Sequence, residues 1–95
     1  MAEARVDIEF DDDKRQRILA ERGVDMAAAG TVFAGEYVQI EDDRADYGET
    51  RYRVWGYIGN ERVHLVWTPR DGKRRIITIY PTHEREHKAR FRTLD

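Results

Sequence analysis

Along Arg51, Arg53, Trp55 and Tyr57 a spacing of two places two guanidinium groups and two aromatic rings on one side of an extended strand, with Tyr52, Val54 and Ile58 on the other. Guanidinium forks suit phosphate oxygens and aromatic planes suit unstacked bases, so such a stripe can hold single-stranded RNA. The same residues have a structural reading, in which Arg51 and Arg53 pair with Glu49 or Glu61 and Trp55 fills the core. Arg75, next to Arg74, opens the apolar run Ile76-Ile77-Thr78-Ile79. A cation in that setting needs an anion, either an internal carboxylate or a substrate phosphate. His64, between Val63 and Leu65, can serve as an acid or base or as a structural imidazole within a strand.

A second spacing is His83-Glu84-Arg85-Glu86-His87, which fits the H-E-x-x-H arrangement of zinc peptidases and puts two imidazoles one turn apart on a helix. No third His or Glu follows at usable spacing, the positions between are charged, and a chain of 95 residues is small for a peptidase cleft. A solvent-facing helix with i,i+4 pairs is the better expectation, with no metal. There is no Ser/His/Asp set, glycine-rich phosphate loop or cysteine nucleophile.

The charge behind these residues is divided. Residues 1–50 hold six Lys/Arg against fourteen Asp/Glu, and residues 51–95 hold eleven against five, so a net −2 conceals halves of −8 and +6. The basic half carries most of the strand-like sequence, which is where a phosphate chain would be held. With no cysteine, no disulfide or thiolate-zinc framework can form. Met1 to Asp7 has no apolar leader-like run, and no stretch approaches the roughly 18 apolar residues of a membrane span, so a soluble cytoplasmic chain folding as one domain over residues 1–95 is expected.

The elements that must position these groups follow from period and punctuation. Val6 to Phe10 alternates as an edge strand does. Asp11 to Asp13 offer N-caps to a helix reaching Arg22, Gly23 stops it, and Asp25 caps a second, shorter helix with Met26, Ala29, Val32 and Phe33 on one side. Tyr37 to Glu41 reads as a strand, followed by an acidic loop. Arg51–Ile58, Arg62–Thr68 and Arg74–Tyr80 read as an antiparallel meander joined at Gly59-Asn60 and Pro69-Arg70-Asp71-Gly72-Lys73. Pro81 ends the last strand, and Thr82 is placed to cap a terminal helix from His83 to Phe91. The order is β-α-α-β-β-β-β-α, an α+β fold with two N-terminal helices and one C-terminal helix packed on an antiparallel sheet.

Taken in order, these segments resemble the BrnT family, ribonuclease toxins of bacterial type II toxin-antitoxin modules with a RelE-like fold. Ile8-Glu9-Phe10-Asp11-Asp12-Asp13-Lys14, Leu19, Arg22-Gly23-Val24 and Ala28 to Phe33 are similar to F-x-W-D-x-x-K…L-x-x-H-G-V…A-x-x-V-F. Asp42-Asp43-Arg44, then Gly48-Glu49-Thr50-Arg51-Tyr52 and Gly56, are similar to E-D-x-R…G-E-x-R-[YFW]…I-G, and Arg75-Ile76-Ile77-Thr78 to R-I-I-S, with Glu86 as the acid of the last helix. The chain departs from the pattern at Ile18 (usually Asn), Arg22 (usually His), Tyr80 (Arg) and Thr82 (Ala).

The resemblance implies a metal-independent endoribonuclease without cofactor. Its catalytic groups would be Lys14, Arg51 and Arg75 on the phosphate, with Tyr80, Glu86 or His64 moving protons, and Arg53, Trp55, His64 and Arg74 contacting RNA. It also implies a cognate BrnA-like antitoxin that masks the basic face, with any DNA contact made only through that partner and none with a membrane. Two other readings stay open: an interaction subunit that binds without cleaving, and a stand-alone single-strand RNA binder stacking bases on Trp55 and Trp67.

Overall fold

The computed structural model describes residues 7–92; Val6, where the first strand was expected to begin, lies outside them. Ile8–Glu9 form β1. Asp11 follows in extended backbone, and its Oδ1 accepts the N–H groups of Asp13 (2.9 Å) and Lys14 (3.2 Å), two donors that the first turn of a helix leaves unpaired. That starts α1 (Asp12–Arg22). Gly23 stops it at φ 73°, its N–H donating to Leu19 O at 3.0 Å. Asp25 repeats the device, accepting from Ala27 N–H, and opens a 3-10 turn (Met26–Ala28) that runs on into α2 (Ala29–Ala34).

The strands are β2 (Val38–Glu41), β3 (Tyr52–Ile58), β4 (Glu61–Arg70) and β5 (Lys73–Pro81), and α3 (Glu84–Arg92) closes the described chain. The element order is the expected one. The sheet is ordered β1-β5-β4-β3-β2, with β2 to β5 antiparallel. β1 makes it mixed: it pairs parallel to β5, Ile8 opposite Arg74 and Glu9 opposite Arg75. About two thirds of the chain separates β1 from β5, so no hairpin turn forces that pair to be antiparallel. The β4–β5 turn tightens to Asp71-Gly72, both left-handed at φ 52° and 76°, the form that matches the twist of a two-residue hairpin.

The helices divide between the two faces. Ile18, Met26, Ala29, Val32 and Phe33 pack on one face of the sheet against Val54, Val63, Leu65, Trp67, Ile76 and Ile79, all buried. α3 lies on the other face, over β3, where the buried ring of His87 donates from Nε2 to Gly56 O (2.9 Å) and sits against Tyr57 and Phe91. Thr82 does not cap α3 as expected. Its N–H donates to Arg62 O, continuing the strand pairing, and its hydroxyl is buried without a partner while the helix starts two residues later.

Gly56 is met from both faces, by α2 on one side and by the His87 ring of α3 on the other. A Cβ there would stand 2.6 Å from Val32 Cγ1 and 3.2 Å from Tyr37 Cβ. Gly56→Ala is expected to destabilise the fold by about 2 kcal/mol through overpacking. The loss should be smaller when measured in a Val32→Ala background, and urea unfolding of the four chains in the cycle checks it.

Candidate active site

The sheet face opposite α1 and α2 is only partly covered, and the ladders fix which side chains it carries. Arg53 pairs with Val66 and Trp55 with His64, so β3 and β4 alternate as the sequence period requires. β5 does not alternate. Trp67 pairs with Ile76 but Val66 with Thr78, so Ile77 is an extra residue in a bulge. Ile76 and Ile79, three apart, therefore both enter the core, and Arg75 and Thr78 both face the open side.

The bulge lets Arg75 join a concavity of about 250 Å³ lined by Asp11, Lys14, Glu49, Arg51, Thr68 and Arg70, and by β5 at Ile76 and Ile77. Lys14 comes from the first turn of α1, Arg51 from the lead-in to β3, Arg70 from the end of β4, and Arg75 from β5 opposite Thr68. Arg51 Nε donates to Glu49 Oε2 (2.9 Å), with its guanidinium 4.1 Å from the Tyr47 ring centroid. Arg75 Nη1 stands 3.6 Å from Glu9 Oε1. Thr68 Oγ1 donates to Thr50 O at 2.6 Å, which ties the lead-in of β3 to β4.

Both ion pairs are about a quarter to a third exposed, a setting in which such a pair contributes at most about 1 kcal/mol, so an incoming phosphate can replace the carboxylate. Lys14 has no carboxylate within ion-pair distance among the described residues. Burial first, and then Arg17, Arg22 and Arg51, hold its ammonium below the ordinary lysine range, against the opposing pull of Asp11. The concavity is thus a positive site, four cations against the carboxylates of Asp11 and Glu49.

A second group lies along the same face. Trp55 and His64 are stacked (4.3 Å between centroids) and wholly buried, with Arg53 4.8 Å and Arg90 4.3 Å from the Trp55 ring. Trp55 Nε1 donates to Glu86 Oε2 at 3.0 Å. His64 Nδ1 lies 3.0 Å from Val54 O, an acceptor only, so Nδ1 carries the proton and the neutral ring keeps its lone pair on Nε2. Burial pushes the imidazole pKa down to about 4, outweighing that hydrogen bond. Tyr80 meets His64 edge-on at 4.9 Å.

Several sequence expectations therefore change. Trp55 and His64 are sealed under α3 and their neighbours, so neither ring is open to solvent; Trp67 packs in the core and donates from Nε1 to Gln39, so neither tryptophan offers an exposed stacking platform. Arg74 is on the opposite face, its guanidinium 4.1 Å from the Phe33 ring and 4.8 Å from Trp67, because it precedes Arg75 by one residue. Glu86 holds the Trp55 indole instead of lining the concavity. His87 commits Nε2 to Gly56 O, and among the described residues no three His, Cys, Asp or Glu are grouped to hold a metal. Lys14, Arg51 and Arg75 do come together. Arg70 joins them although it reads as hairpin punctuation, and nothing in the sequence marks it.

A family model for the ribonuclease toxin BrnT of type II toxin-antitoxin systems matches residues 10–86. The chain belongs to the BrnT family. A search of curated proteins finds no match. The matched span holds the four cations of the concavity, from Lys14 to Arg75, and reaches Glu86 on α3.

Of the positions at which the sequence departs from the pattern it resembles, Ile18, Arg22 and Tyr80 take definite places in the fold. Ile18 is core, 2% exposed under the sheet. Arg22 and Tyr80 touch: the Arg22 guanidinium is 5.6 Å from the Tyr80 ring centroid, with Nη1 donating to Thr78 Oγ1 (2.9 Å) and Ile79 O (3.1 Å). A cation is thus delivered from position 22 to the neighbourhood of position 80. No helix among the described residues is long and apolar enough to cross a membrane.

His64 gives this BrnT chain a pH dependence with a definite sign. In the unfolded chain the imidazole takes up a proton near pH 6.5, in the fold only near 4, so the unfolded state binds more protons in between. Stability from the neutral ring is complete above 6.5 and falls as pH drops towards 4, by up to about 3 kcal/mol. Urea titrations of the parent and of His64→Gln between pH 7.5 and 4 should show this extra slope in the parent alone.

Proposed function

We propose that this chain is a metal-independent endoribonuclease, the toxin of a type II toxin-antitoxin module acting in the cytoplasm, and that the Lys14–Arg51–Arg70–Arg75 concavity is where RNA is cut. The observation that carries this reading is the meeting of cations from α1, β4, β5 and the lead-in to β3 in one recess of a BrnT chain. RNA supplies its own nucleophile. The 2′-OH attacks the adjacent phosphorus, the phosphorane charge grows on the non-bridging oxygens, and the P–O5′ bond breaks to leave a 2′,3′-cyclic phosphate and a 5′-OH.

Arg51, Arg70 and Arg75 are placed to hold the non-bridging oxygens, with charge-assisted bonds that strengthen as the charge develops. Glu49, already against Arg51, is the lining carboxylate able to take the 2′-OH proton. Lys14, whose ammonium is made a better proton donor by its surroundings, gives a proton to the departing O5′. Asp11 is engaged by the first turn of α1 and Glu49 by Arg51, so the donor set favours side-chain cations over a metal ion for the charge. Tyr80 does not line this recess; it packs beside Arg22 and edge-on to His64.

The partner in this reading is an antitoxin of the BrnA type, whose acidic groups replace Glu49 and Glu9 on the arginines and cover the recess. The chain itself contacts DNA only through that partner. One observation favours the second reading, an interaction subunit without cleavage: Arg51 and Arg75 each already hold a carboxylate. The two separate in cells. Expression without antitoxin should arrest growth and degrade mRNA, and harmless expression with intact antitoxin binding would leave only the subunit.

In vitro, Arg75→Ala should lower the rate of RNA cleavage about 10²–10³-fold, the loss of one preorganised donor, with unchanged circular dichroism. A variant as fast as the parent removes Arg75 from the site. Glu49→Gln separates base from counter-ion. As base it should lower kcat about 10²-fold without raising KM, whereas a mere counter-ion would leave kcat intact and bind RNA more tightly.

A further inference from the structure

A second row of side chains crosses the open face beside the first. Arg53, Val66 and Thr78 are ladder partners on β3, β4 and β5, and on β4 Val66 is two residues from Thr68, about 7 Å along the strand. Each end of this row holds a guanidinium. At the β5 end Arg22 reaches over from α1 and bonds only neutral oxygens, Thr78 Oγ1 and Ile79 O. At the β3 end Arg53 lies against the Trp55 ring with its Nε–H buried and without an acceptor.

Neither guanidinium forms an ion pair among the described residues. Asp42, the carboxylate whose charge reaches Arg53, is held by Arg44 in a two-point fork of 2.7 and 2.8 Å. Arg44 itself adds another positive charge beside Arg53. A half-buried guanidinium with an orphan N–H and cations for neighbours is an unfavourable arrangement that an anion relieves. The relief is available on the same face as the cutting site, one strand period away. That step is one an unstacked polynucleotide backbone can span between successive phosphates.

We infer that the Arg53–Val66–Thr78 row, with Arg22 at its far end, is a second phosphate subsite, and that the chain grips two successive phosphates of single-stranded RNA, one in each row. Val66 is buried beneath the row, and Tyr80 stands beside it, its ring 5.6 Å from the Arg22 guanidinium. The inference rests on the reading of the Lys14–Arg51–Arg70–Arg75 recess as the RNA site and adds its length requirement: a dinucleotide with one phosphate fills one row, and a trinucleotide with two fills both.

The test uses 2′-O-methyl oligonucleotides without terminal phosphates, which bind but cannot be cut. The parent should bind the trinucleotide about tenfold or more tightly than the dinucleotide, the worth of a charge-assisted contact. Its salt slope should be steeper by about 0.7 for the added phosphate. Arg53→Gln and, separately, Arg53→Met should erase the gain while leaving dinucleotide affinity unchanged, with folding checked by circular dichroism. Equal affinity for the two lengths in the parent, or variants that weaken both lengths alike, would overturn the second subsite. Cleavage assays on the matching unmodified oligonucleotides keep the two readings apart: a length gain without cleavage sinks the nuclease and leaves the subsite, and cleavage without a length gain does the reverse.

Discussion

One surplus residue in β5 determines what the open face of the sheet can do. Without the bulge at Ile77, strict alternation would put Arg75 and Thr78 on opposite faces. An arginine would be driven among Ile18, Ile76 and Ile79, or those isoleucines would be turned towards water. The bulge satisfies both demands at once: two isoleucines three positions apart reach the core, and a cation and a hydroxyl three positions apart reach the other side. Bulges recur beside functional sites for this reason, since they re-aim one side chain without rebuilding the strand.

Bringing like charges together must be compensated, and the acidic half of the chain does this locally. Two unit charges 4 Å apart interact by about 4 kcal/mol at the effective dielectric of a protein surface, enough to scatter flexible side chains. Glu49 and Glu9 hold Arg51 and Arg75 in weak, partly exposed contacts, and Asp11 adds a negative charge to the same recess. The buried Asp42 carboxyl, held down to about pKa 2 chiefly by its fork with Arg44, fixes the start of the loop that carries Glu49 and Arg51. The −8 and +6 halves of the sequence are thus interleaved in space, and the sequence total of −2 says little about the field a phosphate would meet.

Much of this was legible beforehand. Asp11, Gly23 and Asp25 announce α1 and the turn into α2 by cap chemistry that is local and survives any tertiary context. The Arg51–Tyr57 stripe was oriented correctly because β3 has no bulge. The failures share one cause, that a spacing says which face a residue is on and not what covers it. Trp55 was put on the right face, but α3 roofs that end of it and His64 beside it, which no period within β3 or β4 reveals. Arg74 was grouped with Arg75 by adjacency, and adjacency in a strand means opposite faces. Arg70 looks like turn sequence, and Arg22 looks like the end of a helix; each gains its neighbours only when distant segments dock.

The four cations of the recess come from positions 14, 51, 70 and 75, so no contiguous stretch contains the site. During translation Lys14 leaves the ribosome first and waits for a partner more than half the chain away. Until residue 75 has emerged and β5 has paired with β4, a nascent or prematurely released chain displays only isolated positive charges. The recess therefore does not exist until nearly all of the sheet has been made.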